Sequence, residues 1–365
     1  MTSTMPTAAV ERAMRRALEI AASPGVPLGP NPRVGCVLLG PDGAEVAEGF
    51  HRGAGTPHAE AVALAEAGES ARGATAVVTL EPCNHTGRTG PCSRALIEAG
   101  VARVVFAQPD PNPVAAGGAA ALRAAGIEVD MGLFEREARA LNRAWTFALE
   151  HERPFVTWKF ATTLDGRSAA ADGSSRWVSS LAARVDTHRL RAQADVMLVG
   201  TGTVAIDDPE LTVRDVADPD GGEVTLPHQP LRAVMGERDL PDTRRVFNER
   251  AQTLRLRTRD PHEALATLYA DGRRHVFLEG GPTLAAAFVR AGLVDEVVVY
   301  VAPMLLGDGT NAVGDLGIST IRDALHLVVA DVTTLGTGAE TNVRITLGPE
   351  AGSTAPAPTD VRERH

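Results

Sequence analysis

Apolar positions recur along this chain in two alternating rhythms, one helical and one extended. In residues 8–22, Val10, Met14, Leu18 and Ala21 fall on one helical stripe. Val34–Leu39 is a near-continuous apolar run and reads as a buried strand. Pro41-Asp42-Gly43 is a turn and Glu45–Phe50 a returning strand. The pattern then predicts a helix over His58–Ala67, a strand over Ala76–Leu80, a helix over Cys92–Ala99, a strand over Arg103–Ala107 and a helix over Ala119–Ala125. Val129 and Met131 mark a short strand, and 134–150 a helix that ends near His151-Glu152-Arg153-Pro154. A second series opens at Phe155–Phe160. Its strands are Val196–Gly200, Leu231–Met235, Val276–Glu279 and Val297–Val301, with helices at 180–194, 261–271 and 283–291. This alternation predicts a mostly parallel sheet with helices on its faces. Residues 215–229, rich in Asp, Gly and Pro, read as a surface loop, and the tail AGSTAPAPTDVRERH as disordered. There is no internal repeat. The expected organisation is a domain over 1–150, a second over 151–350, with the boundary near 152, and a tail over 351–365.

Length agrees: 365 residues exceed one ordinary core. The net charge of −10, without any basic block, argues against a nucleic-acid or membrane surface and leaves small molecules as the expected partners. No apolar run reaches transmembrane length, and the first residues, MTSTMPTAAVERAMRRA, lack an apolar signal core, so a cytoplasmic enzyme is expected. Three cysteines make no disulfide framework. Lys159 is the only lysine among 36 basic residues. Either a bias toward arginine spared it by chance, or position 159 requires a compact ammonium that a planar guanidinium cannot replace.

The chemistry concentrates in His58-Ala59-Glu60, Pro82-Cys83 and Cys92. One imidazole and two thiolates make a tetrahedral zinc set with one corner left for water, whereas a structural site would be closed by a fourth protein ligand. Bound zinc lowers the pKa of such a water from about 15.7 toward about 7. Glu60 need not bind metal, and it is placed to shuttle protons. This His-x-Glu plus Pro-Cys…Cys pattern is the signature of zinc deaminases. Both ligand clusters fall at strand-to-helix junctions, where the partial positive charge of a helix start favours thiolate. Cys36 is left over, as a small buried apolar residue. Eight residues, NHTGRTGP, separate the two cysteines instead of the usual two. This Gly-rich insert could fold over a substrate, with Arg88 forking a phosphate, and His85 and Arg88 read equally as such contacts or as plain loop residues. In the second half, LEGGPTL at 278–284 reads as strand, Gly-Gly turn and helix with Pro282 first, either a structural turn or a place for a cofactor phosphate. Gly200–Thr203 is a strand-to-loop element of the same kind. Neither matches the Rossmann fingerprint.

Taken together, the N-terminal half resembles the deaminase domain of the bifunctional riboflavin-biosynthesis deaminase/reductase family. The matching segments are Asn31-Pro32-Arg33-Val34-Gly35-Cys36, Gly49-Phe50-His51, His58-Ala59-Glu60, EPCNHTGRTGPC at 81–92 and Asp110-Pro111-Asn112-Pro113. The second half resembles the family's reductase domain through Lys159–Arg167, GTGTVAIDDPELTVR at 200–214 and LEGGPTL. The resemblance implies an α/β fold: a cytidine-deaminase-like α/β/α domain followed by a dihydrofolate-reductase-like α/β domain. It implies hydrolysis of the 2-amino group of 2,5-diamino-6-ribosylamino-4(3H)-pyrimidinone 5′-phosphate, then reduction of the ribosyl group to ribityl by NADPH. It places Asn31 and His51 on the pyrimidine, with Asp110 and Asn112 lining the same pocket. NADPH would touch Ala161, Trp177, Thr203, Asp207 and the turn Gly280-Gly281-Pro282-Thr283. The substrate's phosphoribosyl end would meet Ser175, Arg191, Leu211 and Arg214, with Glu279 nearby, and Lys159 and Asp165 are candidates for orienting or protonating the ribose. A homo-oligomer is expected. The chain departs from the family pattern at Thr163, where Ser is usual, around Trp177-Val178-Ser179-Ser180, and in a short stretch between Arg214 and Glu279.

Two rivals share parts of this pattern. A tRNA or nucleotide deaminase with an accessory domain has the zinc chemistry, but the −10 charge, the long insert and the reductase-like half oppose it. A zinc-stabilised binding protein without catalysis would give Glu60 no purpose.

Overall fold

In the structure, a computed structural model, residues 8–23, 26, 29–85, 90–175, 178–214 and 229–349 are described. Arg88, Trp177, nearly all of the 215–229 loop and the 351–365 tail lie outside them. The chain folds as two compact units, 1–152 and 153–365, and each has its own sheet.

The first unit runs α1 (Ala8–Ala21), β1 (Gly35–Leu39), β2 (Glu45–Phe50), α2 (Ala59–Ala67), β3 (Thr75–Leu80), α3 (Cys92–Glu98), β4 (Arg103–Gln108), α4 (Gly118–Ala124), β5 (Glu128–Met131), α5 (Glu135–Leu141) and α6 (Arg143–His151). The sheet order is β2-β1-β3-β4-β5, antiparallel across β1 and parallel from β3 to β5. α1 buries the face carrying Val10, Met14, Ala17 and Ile20 against Val37, Val77 and Val105. The other face of the sheet packs Leu38, Val78 and Phe106 against Ala59, Ala63 and Leu96 of α2 and α3. Burial of such apolar side chains is worth about 25 cal/mol per Å² and fixes where the two helix starts sit. Gly49 is needed for this: a Cβ there would lie 2.5 Å from the Ala59 carbonyl, so only glycine lets α2 press onto β2.

One expected helix is two. The pattern over 134–150 is continuous, yet α5 stops at Leu141 and α6 restarts at Arg143. Asn142 between them is buried, and its side chain bonds the backbone of Arg33 instead of continuing the helical stripe: Arg33 N–H donates to Oδ1 at 2.8 Å and Nδ2 donates to Arg33 C=O at 2.9 Å.

The second unit runs β6 (Phe155–Thr163), β7 (Arg167–Ala169), α7 (Leu181–Arg191), β8 (Val196–Gly200), α8 (Thr201–Asp207), β9 (Leu231–Met235), β10 (Thr253–Leu256), α9 (Pro261–Ala270), β11 (His275–Leu278), α10 (Pro282–Arg290), β12 (Glu296–Ala302), β13 (Thr310–Asn311), β14 (Leu327–Leu335) and β15 (Asn342–Pro349). Eight strands form one sheet, β10-β9-β8-β11-β6-β12-β15-β14. It is parallel from β10 to β12 and antiparallel at β15 and β14, so the expectation of a mostly parallel sheet holds with an antiparallel edge added. Two helices start on side-chain caps: Ser180 caps α7 by accepting from Ala183 N–H, and Asp260 caps α9 by accepting from His262 N–H, with Pro261 in its first position. The Gly200–Thr203 element is a strand running straight into helix α8, with Gly200 at the cap, and not a strand-to-loop turn. Among the described residues no helix is long and apolar enough to cross a membrane.

Candidate active sites

The first site is built on two helix starts and one strand end. His58 caps α2 in an extended conformation, Cys92 is the first residue of α3, and Cys83 follows β3. Their ligating atoms all lie within 4.8 Å of one another. His58 Nδ1 is 3.2 Å from Cys92 Sγ and 3.6 Å from Cys83 Sγ. Zinc bonds of about 2.3 Å to sulfur and 2.0–2.1 Å to nitrogen give tetrahedral edges of about 3.5–3.8 Å, so the three atoms fit that ion. The Cys92 backbone N–H points at Cys83 Sγ at 3.4 Å, stabilising negative sulfur. Hydrogen bonding from Cys92 pulls the Cys83 thiol down, to about 4, and the same contact raises Cys92. Cys36, buried in β1, is pushed well up by desolvation and is chemically quiet.

Glu60, in the first turn of α2, is buried beside these ligands but outside their set. Desolvation raises its pKa, which suits a group that accepts and returns a proton near neutral pH. His51 sits edge-on to His58, with ring centroids 5.3 Å apart. Its Nδ1 meets the Pro57 carbonyl at 3.0 Å, an acceptor only, so Nδ1 carries the hydrogen. Nε2 then accepts from Asn31 Nδ2 at 2.9 Å. Burial lowers the pKa of this ring, which holds it neutral. Asn31 and His51 are therefore brought together next to the ligand set. Asp110 and Asn112 form a turn in which Asn112 N–H donates to Asp110 Oδ1 at 2.8 Å. Burial raises Asp110 to about 6. His85 Nδ1 is buried without a hydrogen-bond partner.

The second site gathers side chains from several elements. Arg191, the last residue of α7, forks Glu279 at the end of β11, through Nε at 2.6 Å and Nη2 at 2.7 Å. Burial alone would raise Glu279, but Arg191 and then Lys159 outweigh it and hold the carboxyl at about 2. Lys159 on β6 has its Nζ 5.5 Å from the centre of the Tyr300 ring on β12. Its pKa is lowered by burial, against the attraction of Glu279. Ala161 pairs with Tyr300 across the β6–β12 ladder. Thr203 Oγ1 accepts from Gly281 N–H at 3.2 Å, so α8 and the Gly280–Thr283 turn form one surface. A Cβ on Gly280 would lie 2.7 Å from the Leu284 side chain. Leu211 is buried at φ 57°, a costly conformation for a branched residue, in a segment held by Glu210. Arg214 lies beside it, its N–H on His188 Nδ1 and its guanidinium 3.6 Å from Glu210.

Asp165 is placed differently. Its oxygens accept from Thr163 Oγ1 at 2.5 Å and from the N–H groups of Leu306 and Gly307, and these bonds, Thr163 first, depress its pKa. It anchors a loop and stays ionised, a poor proton donor. Ser175 is exposed, and Asp207 closes α8. Three positions that motif reading passed over support the sites: Glu81, Asn142 and Tyr300. Tyr300 OH donates to Asp186 at 2.8 Å, and Arg344 donates to the same carboxylate. The signals were an acid before Pro82-Cys83, an amide inside a helical stripe, and a tyrosine in an aliphatic strand.

A metal-ready aminohydrolase site in one unit and a cofactor-turn site in the other define a two-activity enzyme. The description "Cytidine and deoxycytidylate deaminase zinc-binding region" matches residues 7–108, and "RibD C-terminal domain" matches 154–340. The chain is 53% identical over 298 residues to a Mycobacterium tuberculosis riboflavin biosynthesis protein RibD, covering 81% of this chain and 86% of that one. It is similar to the solved structure of Acinetobacter baumannii RibD, with a TM-score of 0.84 at 37% identity, covering 94% of this chain and 99% of that one. A Thermotoga maritima diaminohydroxyphosphoribosylaminopyrimidine deaminase/5-amino-6-(5-phosphoribosylamino)uracil reductase gives 0.80 at 32% identity, covering 93% and 99%. The chain belongs to the RibD family. It is a bifunctional deaminase and reductase of riboflavin biosynthesis, with a cytidine-deaminase-like domain that uses zinc and a reductase domain that uses NADPH.

Proposed function

We propose that the first site removes the 2-amino group of 2,5-diamino-6-ribosylamino-4(3H)-pyrimidinone 5′-phosphate and that the second reduces the ribosyl group of the product to ribityl. The observation that carries the reading is the convergence of His58, Cys83 and Cys92 with Glu60 buried beside them and outside the ligand set. Zinc, held by those three residues, supplies a Lewis acid that makes water nucleophilic at neutral pH. Glu60 takes the proton of the attacking water on its carboxylate and delivers it to the departing exocyclic nitrogen, which leaves as ammonia. Asn31 and neutral His51 hold the ring, and Asp110 and Asn112 line the same pocket, with His85 on the insert. In the second site NADPH supplies hydride. Thr203 and the Gly280–Thr283 turn receive the cofactor together with Ala161. Arg191, Leu211 and Arg214 face the phosphoribosyl end. Lys159, beside Glu279 and Arg191, donates the proton to the sugar oxygen, while Asp165 keeps its loop in place.

Glu60→Gln tests the first assignment. It removes the proton carrier and keeps the ligands, so deamination falls by about 10²–10⁴-fold while zinc stays stoichiometric by metal analysis. Retained deamination would reject the assignment and favour a non-catalytic zinc protein.

The working form is a homo-oligomer in the cytoplasm. Strand β14 is a sheet edge with Leu327, Val328, Val329 and Val332 exposed on both of its faces, a template that a second copy of the chain would cover. The three cysteines are free and two must stay reduced, which suits a reducing compartment. Sedimentation at micromolar concentration checks the assembly, and a monomer there would end that part of the reading.

A further inference from the structure

Glu81 stands between β3 and the ligand Cys83, and it is not one of the three clustered ligands. Its carboxylate accepts three backbone N–H groups from one distant segment. Oε2 takes Asp110 N–H at 3.3 Å, and Oε1 takes Gly117 N–H at 3.2 Å and Ala119 N–H at 3.0 Å. Asn84 N–H donates to the Ala115 carbonyl at 2.9 Å, on the other side of Cys83. Between these bonds Ala115 packs directly on Cys83 and Cys92, and all three are buried. The approach is tight: a Cβ on Gly118 would lie 1.7 Å from the Pro82 carbonyl. The loop after β4 therefore forms the cover of the sulfur face, and the same loop carries Asp110 and Asn112.

We propose that Glu81 is a positioning residue of the deaminase site, a clasp that seats the 110–119 loop against the zinc-ligand turn. The clasp does two things. It fixes Asp110 and Asn112 at the pocket wall, and it holds Ala115 over the two sulfurs so that water does not reach them. Hydrogen bonds to a charged acceptor are stronger than neutral ones, and here three converge on one group. The effect on substrate rests on the pocket assignment of Asp110 and Asn112; the effect on the metal does not.

Glu81→Gln probes the clasp with little change in volume. The amide oxygen can keep Gly117 and Ala119, but its NH₂ then opposes the Asp110 N–H, donor against donor. Expected are a deamination KM raised about tenfold with kcat within about threefold, the consequence of one charge-assisted bond lost outside the reacting groups. Zinc should also pass severalfold faster from the loaded protein to a chromogenic chelator, while reduction of the deaminated intermediate by the same preparation is unchanged. Gly118→Ala, which forces the loop outward with Glu81 intact, should reproduce both signatures. A parental KM and a parental zinc-release rate in Glu81→Gln would overturn the proposal, as would a joint loss of zinc content and reductase turnover, which marks a general folding role. Parental release and KM in Gly118→Ala would overturn it too. If the unaltered protein fails to deaminate the pyrimidinone phosphate, the functional reading fails, and the zinc-release comparison still decides the clasp.

Discussion

Lys159 shows how one side chain can be judged against its surroundings. In a chain whose other basic residues are all arginine, it lies where Arg191 already occupies Glu279 with a two-pronged fork. A guanidinium at 159 would set a second planar cation against Arg191 and over Tyr300, with its charge spread away from the point that Nζ now occupies. The depressed pKa of Lys159, caused by burial, makes the ammonium a better proton donor than a free lysine. Lys159→Arg is therefore expected to lower reductive turnover by about 10²-fold and leave deamination intact, measured as NADPH oxidation on the deaminated intermediate beside ammonia release from the pyrimidinone. Unchanged NADPH oxidation would return Lys159 to chance retention. The same scale explains why Asp165 reads as a candidate acid in the motif and not in the structure. Its spacing to Lys159 is visible in the chain, but the backbone donors of Leu306 and Gly307 that occupy it are 141 and 142 residues away.

At the scale of elements, what could be read and what could not divide along one line. The parallel strands and the helices that cover them bury continuous apolar faces, and each is marked in its own residues. The zinc ligands sit at the ends of such elements, with 34 residues from first to last and unmistakable donor chemistry, so that site was legible. β14 has almost no buried face, and without burial there is no apolar alternation to read. Asn142 failed for a different reason: its neighbours keep a helical rhythm, and its function lies 109 residues away at Arg33. There it holds the segment that presents Asn31 to His51. Asn142→Leu keeps the size and removes both bonds, leaving the half-buried Arg33 N–H and C=O without that partner, at up to about 1–3 kcal/mol each. Denaturant melts should show that loss in the first unit, and the deamination KM should rise because Asn31 is no longer fixed. A parental KM with the stability loss present would mean that Asn142 supports the fold alone.

For the whole molecule, the described site residues can be sorted by unit. His58, Glu60, Cys83 and Cys92 belong to the first unit, and Lys159, Arg191 and Glu279 to the second, and each unit has its own sheet and core. The metal ligands all lie in the first unit, so the effects of metal on stability and catalysis are expected there. A ligand that binds the folded form alone stabilises it by RT ln(1 + [L]/Kd), about 4 kcal/mol at a thousandfold excess over Kd. Chelation should remove that much from the first unit and abolish deamination. The second unit, whose buried Arg191–Glu279 pair needs no metal, should keep its denaturation midpoint and go on oxidising NADPH when the deaminated intermediate is supplied. Titrating the loaded protein with chelator, with ammonia release and NADPH oxidation followed in parallel, measures both. If NADPH oxidation fell in step with zinc, the second site would depend on the metal bound in the first unit.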